Sequence, residues 1–113
     1  MSLRDELQLA LHTAMRARDR QAVSLYRSTL AAIENAEAVP LDDDMRASAV
    51  EQAPLGVGAA DVERRELSDD EVEAVVRREA EERRIASRVT GMPESTRVKL
   101  AREADHLEAL SAR

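Results

Sequence analysis

Apolar residues recur every three or four positions at the start of the chain, at Leu3, Leu7 and Leu11. This spacing places their side chains on one face of an α-helix. Ser2 stands directly before the run, where its hydroxyl can accept a hydrogen bond from the first helical turn. The pattern therefore predicts a first helix over residues 3–17.

A second apolar run predicts a second helix over residues 20–38, with Asp19 as its N-terminal cap and Pro40 after its end. Only a short turn separates the two helices, so we expect them to form an antiparallel hairpin. The inward stripe of the second helix steps by three, four and three residues. Its members are Val23, Tyr26, Leu30 and Ile33.

A second hairpin is predicted for the C-terminal part of the chain. Ser68 and Glu71 have the spacing of a capping box, so a third helix should begin there and run to about Thr90. Gly91 suits the left-handed residue that ends a helix, and Pro93 suits the first turn of the fourth. The apolar positions of the third helix are Val72, Val75, Val76, Ala80, Ile85, Ala86 and Val89. Those of the fourth are Val98, Leu100, Ala101, Ala104, Leu107 and Leu110.

Residues 40–67 interrupt the periodic pattern and are predicted to form a long connector. The stretch "DDDMRASAVEQA" favours a short helix, and "PLGVGAA" favours a loop. Acids outnumber bases by eight over residues 40–75, so the net charge of −6 comes from this part of the chain. We predict one all-α domain over residues 1–113, a small bundle in which the connector joins the hairpins at 1–39 and 68–113.

The composition favours association. Alanine supplies 20 of the 113 residues, whereas Phe, Trp and Cys are absent. Small side chains bury less apolar area each, so we expect a protein partner or self-association to add to the core. No apolar run approaches the roughly 20 residues that span a bilayer, and the N-terminus lacks the hydrophobic core of a signal peptide. We therefore expect a cytoplasmic protein without membrane contact.

Residues that carry chemistry are scarce. Glu103 and His106 have the spacing found in carboxylate-bridged dimetal bundles, but His12 has Leu9 at the equivalent distance, so the second motif is missing. Gly56–Gly58 lacks the lysine and hydroxyl residue of a phosphate-binding loop. Without cysteine there is also no thiolate nucleophile or cysteine metal site. We therefore predict no catalytic residue, no bound metal and no cofactor.

Arginine is the abundant base, with 16 residues against one lysine. Guanidinium groups suit carboxylates and phosphates, although a coding bias would also produce this composition without a function. The cluster in the first turn is the stronger candidate, and no aromatic residue lies near it to stack on a base. The candidate interaction surface consists of Arg16, Arg18, Arg20, Arg27, Asn35, Arg83, Arg84 and Arg88.

The middle of the second helix mixes small and polar residues with its apolar stripe. Ser28 and Asn35 can hydrogen-bond across a helix contact, and Arg27 can pair with a carboxylate of the third helix. The spacing favours a polar packing face over a binding site in this stretch.

The stretches "SLRDELQLALHTAMRARDRQAVSLYRSTLAAIENAEAV" and "LSDDEVEAVVRREAEERRIA", followed by a final helix, resemble the N-terminal helical part of the YqeY-like (GatB/YqeY) proteins of bacteria. The resemblance covers the chain outside residues 40–66 and includes Arg27. In that family a second domain, similar to the tail of the B subunit of the glutamine-dependent tRNA amidotransferase, supplies the link to tRNA. We expect that second domain to be absent from this chain.

Three functions stay open. The resemblance and the scarcity of catalytic residues favour a non-enzymatic accessory domain linked to tRNA-dependent amidation or translation, with tRNA as one partner. The resemblance alone implies a second function, as a component of a carbon–nitrogen ligase that uses glutamine as amide donor. The alanine-rich interior favours a third, a homo-oligomeric structural module.

Overall fold

The computed structural model describes residues 1–38 and 65–112. Four helices occupy most of these two ranges, which confirms the predicted all-α bundle. The short helix predicted in the connector and the loop at Gly56–Gly58 lie outside the described residues. The helices are α1 (Leu3–Ala17), α2 (Arg20–Glu37), α3 (Asp69–Ala86) and α4 (Glu94–Ser111).

Three of the four helices begin at capping residues that the sequence shows. The Ser2 hydroxyl accepts a hydrogen bond from the Asp5 backbone at 3.1 Å, and the Asp5 carboxylate accepts one from the Ser2 backbone at 3.3 Å. Ser68 and Glu71 form the same box at the start of α3, with distances of 3.2 and 3.1 Å. Asp19 caps α2 through a backbone N–H of its first turn at 3.1 Å. Each cap contributes about 1 kcal/mol.

The core forms where all four helices meet. One fully buried aliphatic side chain comes from each helix, so burial joins the two hairpins as well as closing each of them. Such a side chain stabilises the fold by about 1.5–3 kcal/mol when it is fully buried. The four residues are Leu7, Ile33, Val76 and Leu107.

Small residues shape the α3–α4 contact, which is the most extensive helix contact of the described bundle. Ala80 and Ala104 are both buried. Because alanine projects only a methyl group, the two helix backbones can approach closely. Among the described alanines, these two and Ala14 are the buried ones.

The predicted inward stripe of α2 is confirmed at Ile33, which is buried, and at Tyr26 and Leu30, which are partly buried and pack against the core. Val23 lines a groove instead, and the prediction missed the buried Leu25 and Thr29. The Thr29 hydroxyl donates to the Leu25 carbonyl at 2.8 Å, so its burial leaves no polar group unsatisfied. This local hydrogen bond allows a polar residue to take a core position.

The predicted end of the third helix was also wrong. α3 ends at Ala86, not near Thr90, with Ser87 as its C-cap. The Ser87 carbonyl accepts a hydrogen bond from the Arg97 guanidinium at 3.2 Å, which ties the end of α3 to α4. Gly91 has the predicted left-handed conformation (φ 90°), but it lies within the α3–α4 turn and not directly after the helix.

Two of the apolar positions predicted for the third helix are exposed. The exposed fractions of Ile85, inside α3, and of Val89, after its end, are 57% and 48%. Val98 at the start of α4 is similarly exposed, at 49%. The core of the second hairpin therefore lies away from its turn.

Glu37, at the end of α2, joins both hairpins. Its carboxylate forms a two-pronged ion pair with Arg4 of α1, and it also accepts a hydrogen bond from the Leu67 backbone at 3.1 Å. Its carbonyl accepts a hydrogen bond from the Arg65 backbone at 2.9 Å. The hydrogen bond to Glu37 raises the pKa of Arg4. The two described ends that flank the connector are therefore held side by side.

Within these four helices, no segment combines the length and the apolar character needed to cross a bilayer.

Candidate functional site

An open groove of about 820 Å³ lies along the α1–α2 hairpin. It combines two apolar side chains, two hydroxyls and three guanidinium groups. We call it the basic groove. Its lining residues are Met15 and Val23, Ser24 and Ser28, and Arg18, Arg20 and Arg27.

The basic groove unites two features that were separate in the sequence. Arg18 and Arg20 belong to the cluster predicted in the first turn, whereas Arg27 lies two helical turns further along α2. The tight turn and the helical spacing bring all three to one opening. Arg16 is exposed in the last turn of α1 but does not line the groove.

Arg18 adopts an unusual backbone conformation. Its φ of 57° and ψ of 34° are left-handed, and no other non-glycine residue of the described ranges has a positive φ. Its N–H donates to the carbonyls of Ala14 and Met15, which ends α1. Glycine is the usual residue in this position, because a side chain there costs about 1–2 kcal/mol.

The arginines of the basic groove have no counter-ion among the residues that the structure describes. Within residues 1–38 and 65–112, Arg18, Arg20 and Arg27 make no ion pair. Asp19, the acid between the first two, uses its carboxylate as the cap of α2. The groove therefore presents positive charge to whatever enters it.

Arg83, another predicted site residue, has a structural role. Its guanidinium donates to the Ser28 hydroxyl at 2.9 Å and to the Glu79 carbonyl at 3.0 Å. It lies 3.5 Å from the Glu103 carboxylate of α4 and 3.4 Å from that of Glu79. The exposed fraction of its side chain is only 16%. Arg83 therefore ties α2, α3 and α4 together.

These contacts correct two predictions about the middle of the bundle. The i, i+4 spacing of Glu79 and Arg83 predicts an ion pair on the solvated face of α3; the pair forms, but both side chains are largely buried. The predicted pairing of Arg27 with a carboxylate of the third helix was wrong, because Arg27 is exposed and faces the groove. The predicted hydrogen bond of Ser28 across a helix contact is confirmed.

The remaining predicted residues do not join the basic groove. Arg84 pairs with Asp105 at 2.6 Å and Glu108 at 2.9 Å, which fastens α3 to α4. Arg88 lies exposed after the end of α3, and Asn35 is exposed near the end of α2. The Arg83, Arg84 and Arg88 cluster is thus not one surface.

Sequence reasoning missed the burial of Glu103, whose exposed fraction is 8%. Only its pairing with Arg83 makes that burial tolerable. His106, its partner in the suspected metal motif, is exposed. In the described part of the chain no group of three or more His, Cys, Asp or Glu side chains is arranged to hold a metal ion. The chemistry that the described groove supports is the recognition of an anion beside an apolar surface.

Comparisons with protein-family models, with curated proteins and with solved structures found no match to this chain. The resemblance to the YqeY-like proteins, the link to tRNA and the ligase alternative therefore stay predictions from the sequence.

Proposed function

We propose that this chain is a non-enzymatic helical interaction domain of the YqeY type and that it binds an anionic partner through the basic groove. The observation behind the proposal is the meeting of Arg18, Arg20 and Arg27, none of them ion-paired within the described ranges, around one opening. Guanidinium forks match both carboxylate and phosphate oxygens. The sequence resemblance supports a role beside tRNA or the translation machinery.

The use of arginine elsewhere in the bundle supports this choice of surface. Arg4, Arg83 and Arg84 form ion pairs with carboxylates of the same bundle. Arg78 and Arg102 are exposed without an ion pair among the described residues, but they do not line the basic groove. These last two therefore serve as matched controls for charge alone.

The test is a binding titration of two labelled polyanions, bulk tRNA and polyglutamate, followed by fluorescence anisotropy at two salt concentrations. The variant Arg20→Gln/Arg27→Gln should weaken binding of the preferred polyanion at least tenfold. The control Arg78→Gln/Arg102→Gln should change it less than twofold. Binding should also fall as salt rises, because neutralised anionic groups release counterions.

Any of three results would contradict the proposal: that the native chain binds neither polyanion, that the two double variants weaken binding equally, or that binding is insensitive to salt. Circular dichroism of both variants checks that the helical content is unchanged.

A further inference from the structure

We infer that the basic groove receives an α-helix of a protein partner, and that this helix presents acidic residues beside an aliphatic one. The inference rests on the proposed function, because it names the class of partner for the same groove. It follows from the length of the groove, from its mixture of apolar and charged groups, and from the position of its arginines.

The length of the groove suits a short helical segment. Its α2 wall runs from Arg20 to Ser28, which is about 12 Å at roughly 1.5 Å per residue. Two turns of a partner helix cover the same distance. Such a helix presents residues i, i+3 or i+4, and i+7 on one face, as in other complexes in which a helix lies in a groove.

Charge complementarity identifies the polar half of the partner. Arg20 and Arg27 are seven residues apart on α2, so they lie on the same side of the helix two turns apart. Arg18 reaches the opening from the adjacent turn. Carboxylates spaced by one or two helical turns on the partner can meet these guanidinium groups in pairs.

The apolar part of the groove identifies the apolar half of the partner helix. Met15 is 46% exposed although it is apolar, and together with Val23 it lines the groove between the charged groups. Methionine adapts its shape to irregular apolar partners. An aliphatic side chain of the partner would cover both residues and shield the ion pairs from water.

The same features favour a protein over single-stranded RNA. Sequence-tolerant RNA binding combines basic grooves with aromatic side chains on which bases stack. The lining of the basic groove has no aromatic residue. A phosphate backbone laid across it would leave Met15 and Val23 against charged oxygens.

Two of the three arginines occupy positions that their own backbone disfavours. Arg18 has the left-handed conformation that glycine adopts more readily, and Arg20 lies at the positive end of α2, in a first turn without an acid. A locally unfavourable placement that persists points to a function. Both residues then serve the partner and not the hairpin.

The test uses four probes. The first is a 16-residue alanine-based helical peptide with Glu at positions i, i+4 and i+7 of one face and Leu at i+3. The second has Gln in place of the Glu residues, and the third has Ser in place of Leu. The fourth is bulk tRNA. Circular dichroism must show equal helicity of the three peptides, because short helices are marginal in water.

We expect the Glu/Leu peptide to bind the native chain at least tenfold more tightly than either altered peptide. Arg20→Gln/Arg27→Gln should weaken that binding at least tenfold, whereas Arg78→Gln/Arg102→Gln should leave it within twofold. Arg18→Gly should weaken binding at least threefold while the melting temperature stays equal or rises. A purely structural role for Arg18 would not separate binding from stability in this way.

The inference would be overturned if the Ser peptide bound as tightly as the Glu/Leu peptide, since the apolar contact would then be irrelevant. It would also be overturned if tRNA bound through Arg20 and Arg27 while no peptide did. In both cases a groove-dependent, salt-sensitive binding of polyanions would leave the proposed function intact. If no polyanion bound the native chain, both this inference and the proposed function would be contradicted.

Discussion

The α3–α4 contact and the basic groove of the α1–α2 hairpin use arginine in opposite ways. In the α3–α4 hairpin, Arg83 and Arg84 face carboxylates of the neighbouring helix at 2.6–3.5 Å. In the α1–α2 hairpin, Arg18, Arg20 and Arg27 have no such carboxylate opposite them within the described ranges, and they line a groove. The same residue type therefore acts as an internal tie at the α3–α4 contact and as an exposed charge around the basic groove, while Arg4 at the far end of the first hairpin is tied to Glu37. The difference lies in what the facing helix supplies.

The charges at the helix ends also differ between α3 and α2. The first turn of α3 contains three acids and its last turn two bases, which complements the helix dipole at both ends. α2 has no acid in its first turn, begins with Arg20 and follows a strained Arg18. Where local preferences are violated in an otherwise consistent fold, the cause is often a functional site. The first hairpin thus sacrifices some local stability at the surface that we assign to a partner.

The most direct test of this difference is to replace one arginine in each hairpin and to compare the loss of stability. Arg83→Met keeps the aliphatic stem but leaves the Glu79 and Glu103 carboxylates without their counter-ion. We predict a loss of about 2–3 kcal/mol in the free energy of unfolding, somewhat less than for a fully buried pair. Arg27→Met should change stability by less than about 0.5 kcal/mol. Urea unfolding followed by circular dichroism measures both.

A second substitution tests the cause of that loss. If the unpaired Glu103 charge is responsible, Arg83→Met/Glu103→Met should be more stable than Arg83→Met alone, because an apolar pair replaces a stranded charge. Equal effects of Arg83→Met and Arg27→Met would remove the distinction between the hairpins.

The junction of the hairpins should respond next most strongly. Glu37→Gln keeps an oxygen for the Leu67 N–H but loses the charge that pairs with Arg4. We predict a loss of about 1–2 kcal/mol, because the Glu37 side chain is only 12% exposed. Glu34→Gln, an exposed change one turn earlier, is the control and should stay within about 0.5 kcal/mol of the native chain. Urea unfolding of the two variants measures the difference, and equal midpoints would show that the Arg4–Glu37 ion pair adds no stability.

The bundle itself could be predicted because its signals are local. Helical periodicity and the capping residues Ser2, Asp19 and Ser68 each act within one or two turns, so they are visible in the sequence. The end of α3 was missed because it involves a hydrogen bond from Arg97, ten residues away and on another helix. The burial of Thr29 in α2 was missed because its hydroxyl is satisfied by the Leu25 carbonyl, which a pattern of apolar residues does not show.

The candidate site was visible only in part. The cluster at the first turn and Arg27 were both recognised, but their meeting depends on the left-handed Arg18 and on the rotation of α2 within the bundle. Arg83 was predicted to belong to the same candidate surface. What separates it is Glu103, twenty residues further along the chain, and pairing at that distance is decided by how α3 and α4 pack.

Relieving the strain of the first hairpin should have a smaller effect of opposite sign. Arg18→Gly removes the clash of the left-handed conformation, although it also adds freedom to the unfolded chain. We predict an unchanged or higher free energy of unfolding, by up to about 1 kcal/mol. Arg88→Gly, at an exposed residue with an ordinary negative φ after α3, is the control and should not stabilise the chain. Thermal unfolding measures both, and a clear loss for Arg18→Gly would show that its side chain stabilises the turn.

The smallest predicted effect concerns the acidic start of α3, which the start of α2 lacks. Hydrogen bonds from Ser68, with a further contribution from Arg65, lower the pKa of Glu71 below its ordinary value of 4.5. A carboxylate with a lowered pKa in the folded state stabilises the fold above its unfolded pKa. That contribution is lost as the pH falls through the folded value. Native stability should therefore decline more steeply with acid than that of Glu71→Gln, since Gln keeps the capping box but does not titrate.

Melting temperatures between about pH 3 and pH 7 would show this difference as a narrowing gap between the two proteins toward low pH. Asp70→Asn, in the same turn but outside the capping box, is the matched control, and it should follow the pH dependence of the native chain more closely than Glu71→Gln does. α2 has no acid in its first turn and is capped by the Asp19 carboxylate alone, so it has no counterpart of the Glu71 side of the box. Parallel curves for the native chain and Glu71→Gln would mean that the box stabilises α3 equally with a neutral side chain. The acidic first turn of α3 would then owe none of its stability to the charge of Glu71.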